Sequence, residues 1–312
     1  MEKTCFLFAG QGSQYPGMGR ELLELFPDLG GIFEAGSDIL GFDLRAACFD
    51  YTAEALAQTE VSQPAIMAVS LLAFEAVKKL GVEPQFCAGH SLGEYAALTA
   101  AGALGIEDAF RVIKARAHAM GECAKAQNGA MCAVMADAAE ITDVCAAVRE
   151  KTGGFVAPVN FNSPAQTVIA GEAPVVDAAI EAFAALGKRC VKLAVTAAFH
   201  TPFMQPAADE FKAAIAGIPF RKPAVPFYSN VDGRELTDWS DLPAYLARHL
   251  VSPVRFVEEL NAIHDAGAGR FIECGPNKVL TGLVRKTLDG VAFFNVENAK
   301  TFEKLRAGLA EA

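Results

Sequence analysis

The chain has 312 residues, 52% of them apolar, and a formal net charge of -10. That apolar content lies far from the low-hydrophobicity, high-charge composition of disordered chains, so a sizeable core is expected throughout. An acidic chain whose Lys and Arg form no long cluster is poorly suited to a phosphate backbone, which excludes nucleic acid as a ligand.

The basic residues that do fall close together, Lys188, Arg189 and Lys192, or Arg285 and Lys286, read as solvated faces. Eight cysteines occur without a C-x-x-C pair, so buried thiols are expected, with neither a metal site nor a disulfide framework. No stretch reads as a membrane span, because the apolar run at 65–74 is closed by Glu75 and Lys78. The opening Met1-Glu2-Lys3 lacks the pattern of a signal peptide, and a cytoplasmic protein with no membrane partner is the expectation.

In chain order, a strand over residues 5–8 leads directly into Gly10-Gln11-Gly12-Ser13-Gln14. Such a loop lets backbone approach a ligand closely, and the Gln11 N–H could serve an oxyanion. A phosphate loop is the rival reading, but the lysine of G-x-x-x-x-G-K-[ST] is missing. A helix is expected over 64–80, with Pro64 near its start and Gly81 just past its end. A strand at 86–89 then enters Gly89-His90-Ser91-Leu92-Gly93, which fits G-x-S-x-G ahead of a helix that begins near Leu92. That turn pushes the Ser91 hydroxyl out at the end of the sheet and aims the Leu92 N–H and the helix N-terminus at developing negative charge. A turn serine that merely caps the helix is the alternative.

Residues 106–123 read as a helix. Beyond it the pattern alternates more tightly, with strand 130–135, helix 138–148, strands 155–161 and 167–170, helix 174–186 and strand 189–193. This β-α-β-β-α-β order is that of the ferredoxin-like unit. It marks an inserted subdomain at 126–197 within a larger unit made of 1–125 and 198–312. A helical pattern at 257–266 and a strand at 270–273 follow. The alternation outside the insert reads as α/β with a mostly parallel sheet.

A serine hydroxyl needs a base to become a nucleophile, and five histidines are available: His90, His118, His200, His249 and His264. His200 follows an uncharged stretch, 195–199, and precedes Thr201-Pro202, so it lies on a loop leaving the insert. Position alone leaves it either the base or an ordinary structural histidine. His90, inside the turn, is read as a packing or site-shaping residue. An esterase order would want a late histidine, a place His264 could fill, although it falls in a helical pattern.

Together these segments resemble the malonyl-CoA:acyl carrier protein transacylases and the related acyltransferase domains of fatty acid and polyketide synthases. The resemblance covers nearly the whole chain. It rests on Phe8-Ala9-Gly10-Gln11-Gly12-Ser13-Gln14, Gln63-Pro64-Ala65, the segment 89–95, Arg116, and Pro158-Val159-Asn160-Phe161-Asn162-Ser163-Pro164. Phe199-His200, Asn230-Val231-Asp232-Gly233, Ser252-Pro253-Val254-Arg255 and Glu273-Cys274-Gly275-Pro276 complete it.

The resemblance implies an α/β-hydrolase-like catalytic subdomain with a ferredoxin-like insert. It makes Ser91 the acyl carrier, His200 the general base, and the Gln11 and Leu92 amides the oxyanion donors. Arg116 would clamp a free carboxylate, Gln63 would line the acyl pocket, and Asn160 and Asn162 would sit near the acyl or carrier-arm side. Where the family commonly has a glutamine whose backbone carbonyl orients the histidine, this chain has His249, which could compete for charge near the site. Phe199 stands before His200 as in malonyl-selective polyketide acyltransferases, whereas many fatty-acid enzymes of the family have serine there. The implied reaction is ping-pong malonyl transfer from malonyl-CoA to an acyl carrier protein, without metal or bound cofactor. Its alternative is a hydrolase that removes acyl groups from carrier proteins or CoA.

Overall fold

The computed structural model describes residues 3–310. The chain opens with β1 (Lys3–Phe8), and after several short helices comes the helix Thr59–Lys78. This helix starts one turn earlier than expected, leaving Pro64 in its second turn. A proline there removes only the N–H that would have met the Glu60 carbonyl, a loss the surrounding core offsets. The helix also corrects the membrane reading, since it is long and apolar enough to cross a bilayer. Here it runs through the middle of the protein, buried on nearly all sides and packed on the helices Gly93–Ala100 and Ile106–Lys125. Its charged residues, Glu60, Glu75 and Lys78, lie near its two ends.

β2 (Phe86–Gly89) follows, and all its residues are buried, as expected of a parallel strand covered on both faces. The insert then runs as β3 (Gly129–Met135), helix Ala138–Thr152, β4 (Val156–Ser163), β5 (Gln166–Glu172), helix Ala173–Ala185 and β6 (Arg189–Lys192). Its sheet has the order β4-β5-β3-β6 and is antiparallel throughout. Along β3, Ala130, Cys132 and Val134 pack beneath the two helices, while Met131 and Ala133 belong to the main core. The period-two alternation of a strand thus gives the insert one face for itself and one for the rest of the protein.

A short hairpin, β7 (Tyr228–Ser229) with β8 (Arg234–Glu235), precedes the last two strands, β9 (Ala268–Cys274) and β10 (Ala292–Val296). The hairpin and β10 escaped the sequence reading. β10 is an edge strand with an exposed Phe293, so it lacks the unbroken burial that marks β1 and β2. The main sheet has the order β10-β9-β1-β2, all parallel. Phe8 lies in register with Gly89 on one side and Cys274 on the other, so the loops leaving β1, β2 and β9 emerge at one edge. Ligands of open α/β sheets bind beyond that carboxyl edge.

Among the described residues no cysteine is in a disulfide, and Cys5, Cys48, Cys87, Cys132, Cys145 and Cys274 are buried. Lys188 and Lys192 pair with Glu140 and Asp177 at 2.6 and 2.5 Å, the solvated face read from the sequence.

Candidate active site

The turn from β2 into the helix Gly93–Ala100 is closed so tightly that only glycine fits on either side of it. A Cβ on Gly89 would strike the Gly93 backbone, and one on Gly93 would strike the Phe8 carbonyl. Between them Ser91 is held at φ +51, in the left-handed region. For a residue other than glycine such a conformation costs about 1–3 kcal/mol and persists only where the surroundings dictate it. The Ser91 N–H donates to Asn230 Oδ1 at 2.7 Å.

His200 Nε2 lies 2.8 Å from Ser91 Oγ. Its Nδ1 faces two backbone carbonyls, His249 O at 3.2 Å and Ser252 O at 3.0 Å. Carbonyls only accept, so Nδ1 carries the proton and Nε2 presents a bare lone pair to the serine hydroxyl. Burial first, then the charges of Arg116 and His90, push the His200 pKa down to about 3. The imidazole is therefore neutral, with its Nε2 lone pair unprotonated, at any working pH. The base form is lost only as pH falls towards that value, and burial raises Glu94 to about 8, so kcat/KM for Ser91 acylation is expected to stay flat below that value, from about pH 7 to about pH 5. A pH series of rapid-quench acylation rates checks this, and an inflection near the ordinary histidine value of about 6.5 would contradict it.

His249 supplies its carbonyl as expected, but it brings no charge to the site. Its ring is fully buried, and burial, with His200 next, holds its pKa well below the ordinary value. The Ser252 carbonyl is a second acceptor that sequence reasoning did not assign, although the segment Ser252–Arg255 had been singled out.

Arg116 is 1% exposed, and its Nη2 donates to Ser91 Oγ at 3.0 Å. Its guanidinium also lies over the Tyr95 ring, 5.1 Å from the centroid. Its buried Nε has no hydrogen-bond partner, and its charge is felt by the buried Glu94 carboxyl. Ser91, His200, Gln11, Phe199, Asn160, Met120 and Met131 line one cavity of ≈ 320 Å³. Neither the Gln11 N–H nor the Leu92 N–H donates to another group among the described residues, and Asn160 Oδ1 is buried without a partner.

Neither Gln63, expected in the pocket lining, nor Arg116 is among the residues that line this cavity. Gln63 is fully buried and its Nε2 reaches Gln11 Oε1 at 3.3 Å and the Met120 sulfur at 3.7 Å, so it supports the lining without joining it. Asn162 Oδ1 takes His90 Nε2 at 2.8 Å. The β4 ladder is irregular between Pro158 and Asn160 and again between Phe161 and Ser163. His264 Nδ1 meets the nearby Ala268 carbonyl at 3.1 Å and does not line the cavity, so the late-histidine layout has no counterpart here.

An α/β fold that presents a serine on a strained strand-to-helix turn, against a neutral imidazole and beside two free amides, defines a serine-nucleophile enzyme of acyl groups. Sequence comparison narrows the class: the profile described as "Acyl transferase domain" matches residues 5–306. The chain belongs to that acyltransferase family. It is 40% identical to the malonyl CoA-acyl carrier protein transacylase of Bacillus subtilis strain 168, over 97% of this chain and 96% of the relative. Identity with the Escherichia coli K12 protein of the same name is 38%, over 93% and 94%. The crystal structure of the Clostridium perfringens transacylase superposes with a TM-score of 0.94 at 36% identity, covering 99% and 98% of the two chains. A malonyl-transacylase solved in complex with its type II PKS acyl-carrier protein gives 0.93 at 36% identity, covering 98% and 99%.

Proposed function

We propose that this protein transfers a malonyl group from malonyl-CoA to the phosphopantetheine thiol of an acyl carrier protein, through an ester on Ser91. The observation that carries the malonyl assignment is Arg116, a buried guanidinium 3.0 Å from the Ser91 hydroxyl that has no carboxylate within salt-bridge distance among the described residues, although the buried Glu94 feels its charge. A buried unpaired charge is costly, and the free carboxylate of a malonyl group matches its planar pair of donors.

In the first half-reaction His200 Nε2 takes the Ser91 proton as Oγ bonds to the thioester carbon. The resulting oxyanion accepts from the Gln11 and Leu92 amides. Collapse breaks the C–S bond, and His200 returns the proton to the CoA sulfur. The carrier thiol then repeats these steps in its own direction and releases Ser91. The substrate carboxylate on Arg116 also offsets one of the charges that depress His200, so substrate binding strengthens the base. Malonyl-CoA and carrier proteins are water-soluble reactants, which supports the reading of a cytoplasmic enzyme. Residues 126–197 act as the insert that contributes Met131 and Asn160 to the cavity.

Intact mass after mixing with malonyl-CoA is expected to show a malonyl adduct, and a phosphopantetheinylated carrier is expected to remove it and gain the same mass. Loss of the adduct to water, with no gain on the carrier, would favour the hydrolase reading.

Phe199, 8% exposed at the cavity wall, narrows the space for a substituent on the acyl carbon. Methylmalonyl-CoA is expected to react with a kcat/KM roughly 10- to 200-fold lower than malonyl-CoA, the range open to discrimination against one methyl group. Equal values for both substrates would remove this role from Phe199.

A further inference from the structure

Asn230 follows β7 and is fully buried. Its Oδ1 accepts the Ser91 N–H at 2.7 Å, while its Nδ2 donates to the Gly89 carbonyl at 2.6 Å. One side-chain amide thus spans the backbone on both sides of His90, across the turn that holds Ser91 at φ +51. Its orientation is dictated by chemistry, because the Ser91 N–H can only donate and the Gly89 carbonyl can only accept.

The amide is held in turn from two further helices. Glu259 Oε2 accepts from Nδ2 at 2.7 Å, and Glu94 Oε1 accepts the Asn230 N–H at 2.6 Å. Glu94 is itself fixed by the Tyr245 hydroxyl at 2.9 Å. Both carboxyl groups are fully buried. Groups of this kind are expensive to bury unless their hydrogen bonds set a geometry.

We infer that Asn230 is the positioning residue of the nucleophile turn. It clips Gly89 to Ser91, stores the strain that turns Oγ towards His200, and occupies the Ser91 N–H so that the Leu92 N–H is the one left for the oxyanion. The inference rests on Ser91 being the nucleophile. Without the clip the turn relaxes, and a misplacement of about 1 Å at a reacting group costs on the order of 10²-fold.

The test is the rate of Ser91 acylation by malonyl-CoA, followed by rapid quench and intact mass in the full chain. Asn230→Ala is expected to lower kcat on the order of 10²-fold with KM changed less than about twofold, because the Arg116 clamp and the cavity are untouched. Asn230→Asp supplies a readout that a merely structural role would not move. The ionised carboxylate still accepts from Ser91 but has no donor for Gly89, and its titratable surroundings are Glu259 and Glu94, the latter in contact with Tyr245 and His249, with Asp232 and Arg255 on the adjoining loops. Protonation restores one donor, so kcat/KM of this variant rises as pH is lowered from about 7 to about 5, below the value near 8 to which burial raises Glu94 and where the parent is flat. Should the variant fail to fold, Asn230→Asp combined with Glu259→Gln carries the same readout, since the new amide donates to the new carboxylate. Parent kcat in Asn230→Ala, a loss confined to KM, or a flat pH profile in the aspartate variants would overturn the inference. An unlabelled Ser91 in the parent would overturn the functional reading as well.

Discussion

Ser91→Ala is expected to abolish the malonyl adduct, and His200→Ala to slow its formation by roughly 10²- to 10⁴-fold, the range for a lost general base. The two effects differ because the bond forms on Oγ itself, whereas His200 only removes its proton. With Nδ1 fixed on the carbonyls of His249 and Ser252, Nε2 is the only ring atom that can accept from Oγ, and no other histidine nitrogen lies within hydrogen-bond distance of Ser91 among the described residues. The Gln11 and Leu92 amides and the Arg116 donor survive in His200→Ala, which leaves residual acylation. Rapid-quench mass spectrometry of both variants checks the pair. Full adduct formation by Ser91→Ala would sink the mechanism, and a crippled His264→Ala beside an active His200→Ala would revive the esterase layout.

Arg116→Ala is expected to lower kcat/KM for malonyl-CoA by at least about 10²-fold. Charge-assisted hydrogen bonds contribute roughly 1.5–3 kcal/mol each, and a guanidinium can offer a carboxylate two of them in parallel. Acetyl-CoA has no carboxylate to lose. It forfeits only the donor that Arg116 Nη2 provides to Ser91 Oγ, and it no longer meets an unpaired buried cation. The ratio of the two kcat/KM values is therefore the informative quantity, and it should fall by about the same 10²-fold. Arg116→Lys would not restore it, because an ammonium group cannot reproduce the planar pair of donors. A proportional drop for both substrates would reduce Arg116 to a support of the fold.

Several features of this site were legible from residue order because they are local. The turn at Ser91 is encoded by glycines two positions to either side, which the collisions at Gly89 and Gly93 require. The insert is encoded by a switch between the periods of strand and helix, and the buried stretches of β1 (residues 5–8) and β2 by short apolar runs. The edge strand β10 and the early start of the helix Thr59–Lys78 were missed for the same reason, since a mixed pattern and a proline blur local signals.

Relations between distant residues were decided only by tertiary packing. Ser91 and His200 lie 109 positions apart, Ser91 and Asn230 lie 139 apart, and no periodicity links either pair. Resemblance could suggest His200 as a base, but its tautomer follows from two carbonyls at the end of another helix. The same holds for Asn160 and Asn162, two residues of one motif: the first lines the cavity and the second is tied to His90. Residue order determined which groups are available for catalysis, while their distances, hydrogen-bond partners and proton positions depended on how sheet, insert and helices pack, because those quantities are set across the fold and not along the chain.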